Sequence, residues 1–232
     1  MVMKNILKPL ACICMIALTG QLQAQITDKV YQDQAGNFAL AYNGMAEKGY
    51  HTGYTNTPYY PETYTEGSFV FRGMEYHDVK MRLDCYTKRL VVLTPDGKLN
   101  RLMHPEEVGR ATIGGIPFVY FDKAEAAPGE GYYAALYEGK NFSIYRLHYV
   151  NNLMRETHGR VMRLGFSLKE RVYLVQENRW TLLKGKNSFI RCFKDHKKAL
   201  GDYCRKNGLR FGNGNRSDWA ALAAYCETLM KE

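Results

Sequence analysis

Residues 79–86 read Val-Lys-Met-Arg-Leu-Asp-Cys-Tyr, and their polarity alternates residue by residue. A period of two is the signature of a strand with one buried face, since a helix would spread these side chains around its whole circumference. The pattern turns Val79, Met81, Leu83 and Cys85 inward and Lys80, Arg82, Asp84 and Tyr86 toward water. Such a strand is not stable alone, so the flanking sequence must supply partners. Upstream, regular strands are expected from Ser68, with Phe69 and Phe71 alternating before a turn at Gly73. Downstream, Arg89–Leu93 is a second apolar run, and Pro95-Asp96-Gly97 turns the chain into Leu99–Met103. Gly accepts positive φ without strain, which makes an Asp-Gly pair between apolar runs a hairpin signal.

The same grammar recurs. His104–Gly109 reads as one helical turn and Pro117–Phe121 as a strand. Tyr132–Tyr137 and Phe142–Val150 flank the polar turn Glu138–Asn141, and Arg171–Val175 and Trp180–Leu183 flank Gln176–Arg179. Successive hairpins with short turns imply an antiparallel β meander: a curled sheet, a sandwich or a small barrel. The period then changes. Ser188 is placed to cap a helix carrying Phe189, Cys192, Phe193, His196, Leu200 and Tyr203 at helical spacing, stopped by Asn207-Gly208. Ser217 is placed to cap a second, striped by Trp219, Leu222, Ala223, Cys226, Leu229 and Met230, with Asp218 against its positive end. The expected class is α+β, an antiparallel meander followed by a C-terminal helical hairpin packed on it. A chain ending this way is not expected to be an outer-membrane barrel, which is strands throughout.

The N-terminal residues obey a different logic. Lys4 and Lys8 precede an apolar run of about ten residues, Pro9–Leu18, and small and polar types follow to Ala24. That is the order of a secretory signal, too short to span a bilayer as a helix. Cleavage is expected after Ala24, and neither Cys12 nor Cys14 follows a lipobox. The organisation expected is a signal peptide at 1–24, an irregular aromatic-rich segment at 25–66, the β domain at 67–186 and the helical hairpin at 187–232. Four cysteines survive processing: Cys85, Cys192, Cys204 and Cys226. Export permits disulfides, but all four lie on apolar stripes, where Cys behaves as a small hydrophobe. Cys192 and Cys204, on one expected helix, would stand about 18 Å apart. Free buried thiols are the favoured expectation.

The succession GSFVFRGMEYHDVKMRLDCYTKRLVVLTPDGKL, GYYAALYEGKNFSIYRL and RVYLVQENRWTLLKGKNSFIRCFKDHKKALGDYCRKNGL resembles exported β-rich proteins of Bacteroidota that end in a helical pair and have no assigned activity. The resemblance runs from about Gly67 to the C-terminus. It implies an envelope setting and carries over no functional residue.

Chemistry is sparse. Gly165-Phe166-Ser167-Leu168-Lys169 approaches a serine nucleophile elbow but lacks its last glycine. The six histidines form no zinc spacing and there is no Cys-x-x-Cys, so neither a metal nor another cofactor is expected. Gly212–Ser217 with Arg216 precedes a helix and reads as an interhelical turn rather than an anion loop, since no strand leads into it. Glu106 and Glu107 read as turn residues. Charge is uneven: the chain carries +9, and Arg146–Arg216 holds seventeen Lys or Arg against five Asp or Glu. Such a half attracts polyanions. Lys194, Lys197, Lys198, Arg205 and Lys206 fall mainly off the apolar stripe and are the candidate residues for an anionic surface. Tyr50, Tyr54, Tyr59, Tyr60 and Tyr64 are the candidate stacking aromatics for a sugar or small ligand.

The leading expectation is a non-enzymatic, periplasmic or outer-membrane-associated accessory that binds a partner protein or an anionic lipid or lipopolysaccharide surface. A small-ligand or glycan-binding β domain is the alternative, and a hydrolase with a dispersed site comes third. Nucleic acid is not an expected partner of an exported chain, and no membrane span is expected after processing.

Overall fold

Strand alternation dominates what the chain builds. The structure, a computed structural model, describes residues 45–47, 49–50, 54–122, 127–158, 161–211 and 216–231, with backbone alone at 54–55, 152–158 and 161–164. Residues 1–44, which include the segment expected to be a signal peptide, lie outside these.

Within the unit Gly44–Glu232, the described strands are β1 (Met45–Ala46), β2 (Tyr54–Thr55), β3 (Tyr59–Phe71), β4 (Met74–Asp84), β5 (Arg89–Leu93) and β6 (Asn100–Leu102). They continue as β7 (Arg110–Ile113), β8 (Ile116–Phe121), β9 (Gly131–Glu138), β10 (Ser143–His158), β11 (Val161–Gln176) and β12 (Arg179–Leu183). All join one sheet in the order β1-β6-β5-β4-β3-β7-β8-β9-β10-β11-β12, antiparallel throughout except where β2 pairs parallel with β11. Two-residue turns with both residues at positive φ close three hairpins, at Arg72-Gly73, Gly114-Gly115 and Glu177-Asn178. Such turns match the right-handed twist of the strands they join.

The sheet curls without closing. Tyr60 of β3 stacks on His148 of β10 with centroids 3.7 Å apart, although β7, β8 and β9 separate those strands in the sheet. Val150 N–H also donates to the Cys85 carbonyl at 3.4 Å, bringing the end of β4 to β10. The inner face holds Val79, Met81, Leu83, Leu90, Val92, Phe118, Tyr132, Ile144 and Leu174, none more than 2% exposed. The alternation at 79–85 therefore delivers the buried face it specified.

The other face of β4 is not simply wet. Asp84 is 2% exposed, because its carboxylate accepts hydrogen bonds from Tyr50 Oη (2.7 Å), Tyr86 N–H (2.9 Å) and Thr87 N–H (3.0 Å). Arg82 lies across the ring faces of Tyr59 and Tyr64, its guanidinium carbon 3.3 and 4.2 Å from their centroids. Regular strand structure also starts earlier than the expected Ser68: β3 begins at Tyr59, inside the segment expected to be irregular. Gly67, in that strand, sits so close to β7 that a Cβ there would lie 1.9 Å from the Thr112 carbonyl oxygen. Gly67→Ala must push two paired backbones apart, and a destabilisation of at least about 2–3 kcal/mol is expected. An unchanged urea midpoint would show that β7 is not seated on Gly67.

Three helices follow: α1 (Lys186–Cys192), α2 (Lys197–Lys206) and α3 (Arg216–Leu229), with a 3₁₀ turn at Lys194–His196. The single helix expected from Ser188 to Tyr203 is thus broken. Phe193, packed between Phe142 (5.0 Å) and Phe189 (4.9 Å), leaves helical geometry at φ −122°, ψ 66°. Nor is Ser188 the cap: Gly185 is, and Ser188 reaches back from the third helical position to accept N–H groups of Lys184 (2.8 Å) and Gly185 (3.1 Å). Ser217 likewise falls inside α3, which begins at Arg216. Asp218 at its start accepts the Arg210 N–H at 2.6 Å. Helices α2 and α3 meet through Tyr203 and Tyr225, stacked at 4.1 Å. Helix α3 is tied to the β9–β10 turn by Glu227, which accepts Asn141 N–H (2.9 Å) and Nδ2–H (3.0 Å). Among the described residues no helix is long and apolar enough to cross a membrane.

Candidate functional site

Three groupings bear on function. The first contains the tyrosines singled out by the sequence. Tyr59 donates to Glu47, Tyr50 to Asp84 and Tyr64 to Asn100, so all three turn their hydroxyls into the protein. Burial, reinforced by the Asp84 and Glu47 carboxylates, raises the Tyr50 and Tyr59 hydroxyls well above the usual phenol range, and burial lifts Tyr64 to about 12. Tyr60 is apart from them, on the inner face against His148. Of Tyr54 only the backbone is described, paired with Leu164. The structure joins Tyr59 and Tyr64 across Arg82, with Tyr50 edge-on to Tyr59 at 5.9 Å, and it does not bring Tyr60 to them.

The second grouping is cationic. Lys194, Lys197, Lys198, Arg205 and Lys206 are all exposed on the 3₁₀ turn and α2. On a helix of 3.6 residues per turn, Lys198, Asp202, Arg205 and Lys206 share the side opposite buried Leu200 and Cys204. Only Arg205 among the five has a carboxylate within ion-pair distance among the described residues, Asp202 at 3.4 Å.

The third grouping was not legible beforehand. On the inner face Arg146 and His148 follow one another in strand alternation, with Glu170 directly across from His148 in the β10–β11 register. Arg146 is 3% exposed and His148 6%. Arg146 Nε stands 3.7 Å from Glu170, while its Nη2 and His148 Nε2 are buried without a hydrogen-bond partner. Burial, reinforced by the Arg146 charge, drops the His148 pKa to about 3, so the imidazole is neutral across the physiological range. Beside His148, where β9 stops short of β10, a cavity of about 220 Å³ opens between Lys88, Glu130 and Arg171.

The remaining motifs stay apart. Ser167 lies half-buried within β11, with no strand-to-helix turn to present it. His77 and His104 are exposed beside Glu75 and Glu106, and His196 lies half-buried in the 3₁₀ turn. His51 and Gly212–Asn215 lie outside the described residues, and Arg216 donates to the Gly115 carbonyl at 3.2 Å. No group of three His, Cys, Asp or Glu side chains converges as a metal site among the described residues. Cys85, Cys192, Cys204 and Cys226 are free thiols, and burial raises the pKa of each.

Compared with protein-family models, curated proteins and solved structures, the chain finds no match.

Proposed function

We infer that this is an exported, non-enzymatic accessory of the cell envelope that docks on an anionic lipid surface through the cationic side of α2 and the turn before it. The observation that carries the reading is the exposure of Lys194, Lys197, Lys198, Arg205 and Lys206 with a single carboxylate partner between them. Five exposed cations on one short stretch outnumber its two carboxylates, Asp195 and Asp202. Each basic residue near an anionic bilayer contributes about 1 kcal/mol of attraction, so together they hold a folded domain at the surface. Export is supported by the Lys4/Lys8, Pro9–Leu18 and Ala24 order of the N-terminus.

The test is co-sedimentation with vesicles of phosphatidylglycerol and phosphatidylcholine against phosphatidylcholine alone. Binding is expected only to the anionic vesicles, falling as salt rises because exposed charges act over roughly 8–10 Å at physiological ionic strength. Changing Lys194, Lys197 and Lys198 together to Glu is expected to abolish it. Equal binding to both vesicle types, or undiminished binding after charge reversal, would overturn the reading.

A further inference from the structure

The cavity beside His148 arises from a mismatch in strand length. The β9–β10 ladder ends at the Tyr133–Leu147 pair, while β10 runs on past it. The next stretch of that strand edge is met instead by the end of β4, through the Val150-to-Cys85 hydrogen bond. Between the two contacts the about 220 Å³ opening remains, roughly the liquid volume of seven waters. Leu83, Cys85, Tyr132, Leu147 and Val150 give it apolar and aromatic walls.

Its mouth has the opposite character. Lys88 stands there at φ 60°, a left-handed conformation that costs an L-residue about 1–2 kcal/mol. In that conformation its stem runs over Gly131, with Cβ and Cδ each 3.8 Å from where a glycine Cβ would be. Arg171 reaches the same mouth along the ring of Tyr149, 4.8 Å from its centroid. Neither cation has a carboxylate within ion-pair distance among the described residues. The one acid of the lining, Glu130, accepts the Tyr120 hydroxyl at 2.8 Å. An apolar chamber whose entrance carries two cations against one carboxylate suits a ligand that is apolar at one end and anionic at the other.

We propose that this cavity binds a small aromatic carboxylate, with its ring between Leu83, Tyr132, Leu147 and Val150 and its carboxylate facing Lys88 and Arg171. The site is separate from the cationic side of α2 and does not rest on the membrane reading. It also gives His148 a role as a neutral, non-competing wall rather than a third cation.

The experiment titrates the protein with phenylacetate and, separately, with phenylacetamide, which keeps the ring and removes the charge. Saturable phenylacetate binding is expected by ligand-observed NMR, with the amide at least about tenfold weaker. Lys88→Gln and Arg171→Gln change exposed side chains, so the circular dichroism should be unaltered. Each should weaken phenylacetate severalfold and leave the amide unchanged. Absence of saturable phenylacetate binding, equal affinity for acid and amide, or a Lys88→Gln/Arg171→Gln double variant that binds phenylacetate like the parent would overturn the proposal.

Discussion

Trp219→Ala is expected to destabilise the protein by about 3–5 kcal/mol, the range for truncating a large aromatic in a packed core. Trp219 is 2% exposed and meets Phe211 edge-on at 4.7 Å and Phe189 at 6.3 Å. Phe189 in turn packs on Phe142 (5.9 Å) and Phe193 (4.9 Å), so one chain of rings joins α3 to α1 and to the start of β10. A solvent-open groove of about 260 Å³ lies beside the indole, lined by Leu183, Gly185 and Phe211. Urea denaturation followed by far-UV circular dichroism measures it without interference from Trp180, and Trp219→Phe should retain more than half of the loss. A Trp219→Ala midpoint equal to the parent would mean that α3 is not docked as described.

That anchor was legible because its stripe is helical in period and closed by small and apolar residues on one side. The strand at 79–85 was legible for the same kind of reason. Where both faces of a strand are buried, alternation carries no information. In Ser143–Tyr149 the pattern alone would send Tyr145 and Leu147 inward and Arg146 and His148 to water. Yet Arg146 and His148 face the inside of the curl, while Tyr145 joins Tyr133 and Tyr173 in a second cluster on the opposite face. Asp84 was misplaced for a related reason. Its burial depends on Tyr50, thirty-four residues away, and no local pattern announces such a partner. The cavity was invisible because it follows from β9 ending before β10, a difference of register rather than of composition. The exposed lysines were readable, since an amphipathic helix declares its wet side in its own sequence.

Acid should destabilise the protein well above the pH at which ordinary carboxylates titrate, and His148 should be the cause. Its pKa is about 3 in the folded chain against 6.5 for a free imidazole, lowered first by burial and then by the neighbouring Arg146 charge. As pH falls below 6.5, the unfolded chain takes up a proton that the folded chain refuses, so stability declines until pH reaches about 3. At about 1.4 kcal/mol per pH unit, that interval amounts to roughly 4–5 kcal/mol. The groups around the ring do not relieve it. Tyr60 covers one face, Arg146 repels the incoming charge, and Glu170, the carboxylate opposite, is already 3.7 Å from Arg146. Glu138, whose pKa is held down by its hydrogen bonds from Arg110, loses stability in the same direction, so the parent curve alone does not isolate the histidine. His148→Phe does. It keeps a ring to stack on Tyr60, removes the buried Nε2 without a partner, and is expected to match or exceed the parent at neutral pH. Between pH 6.5 and 3 its stability should fall by less than the parent's, and the gap between the two curves should widen steadily toward acid. Parallel curves for the two proteins across that range would show that His148 is not held neutral by its burial.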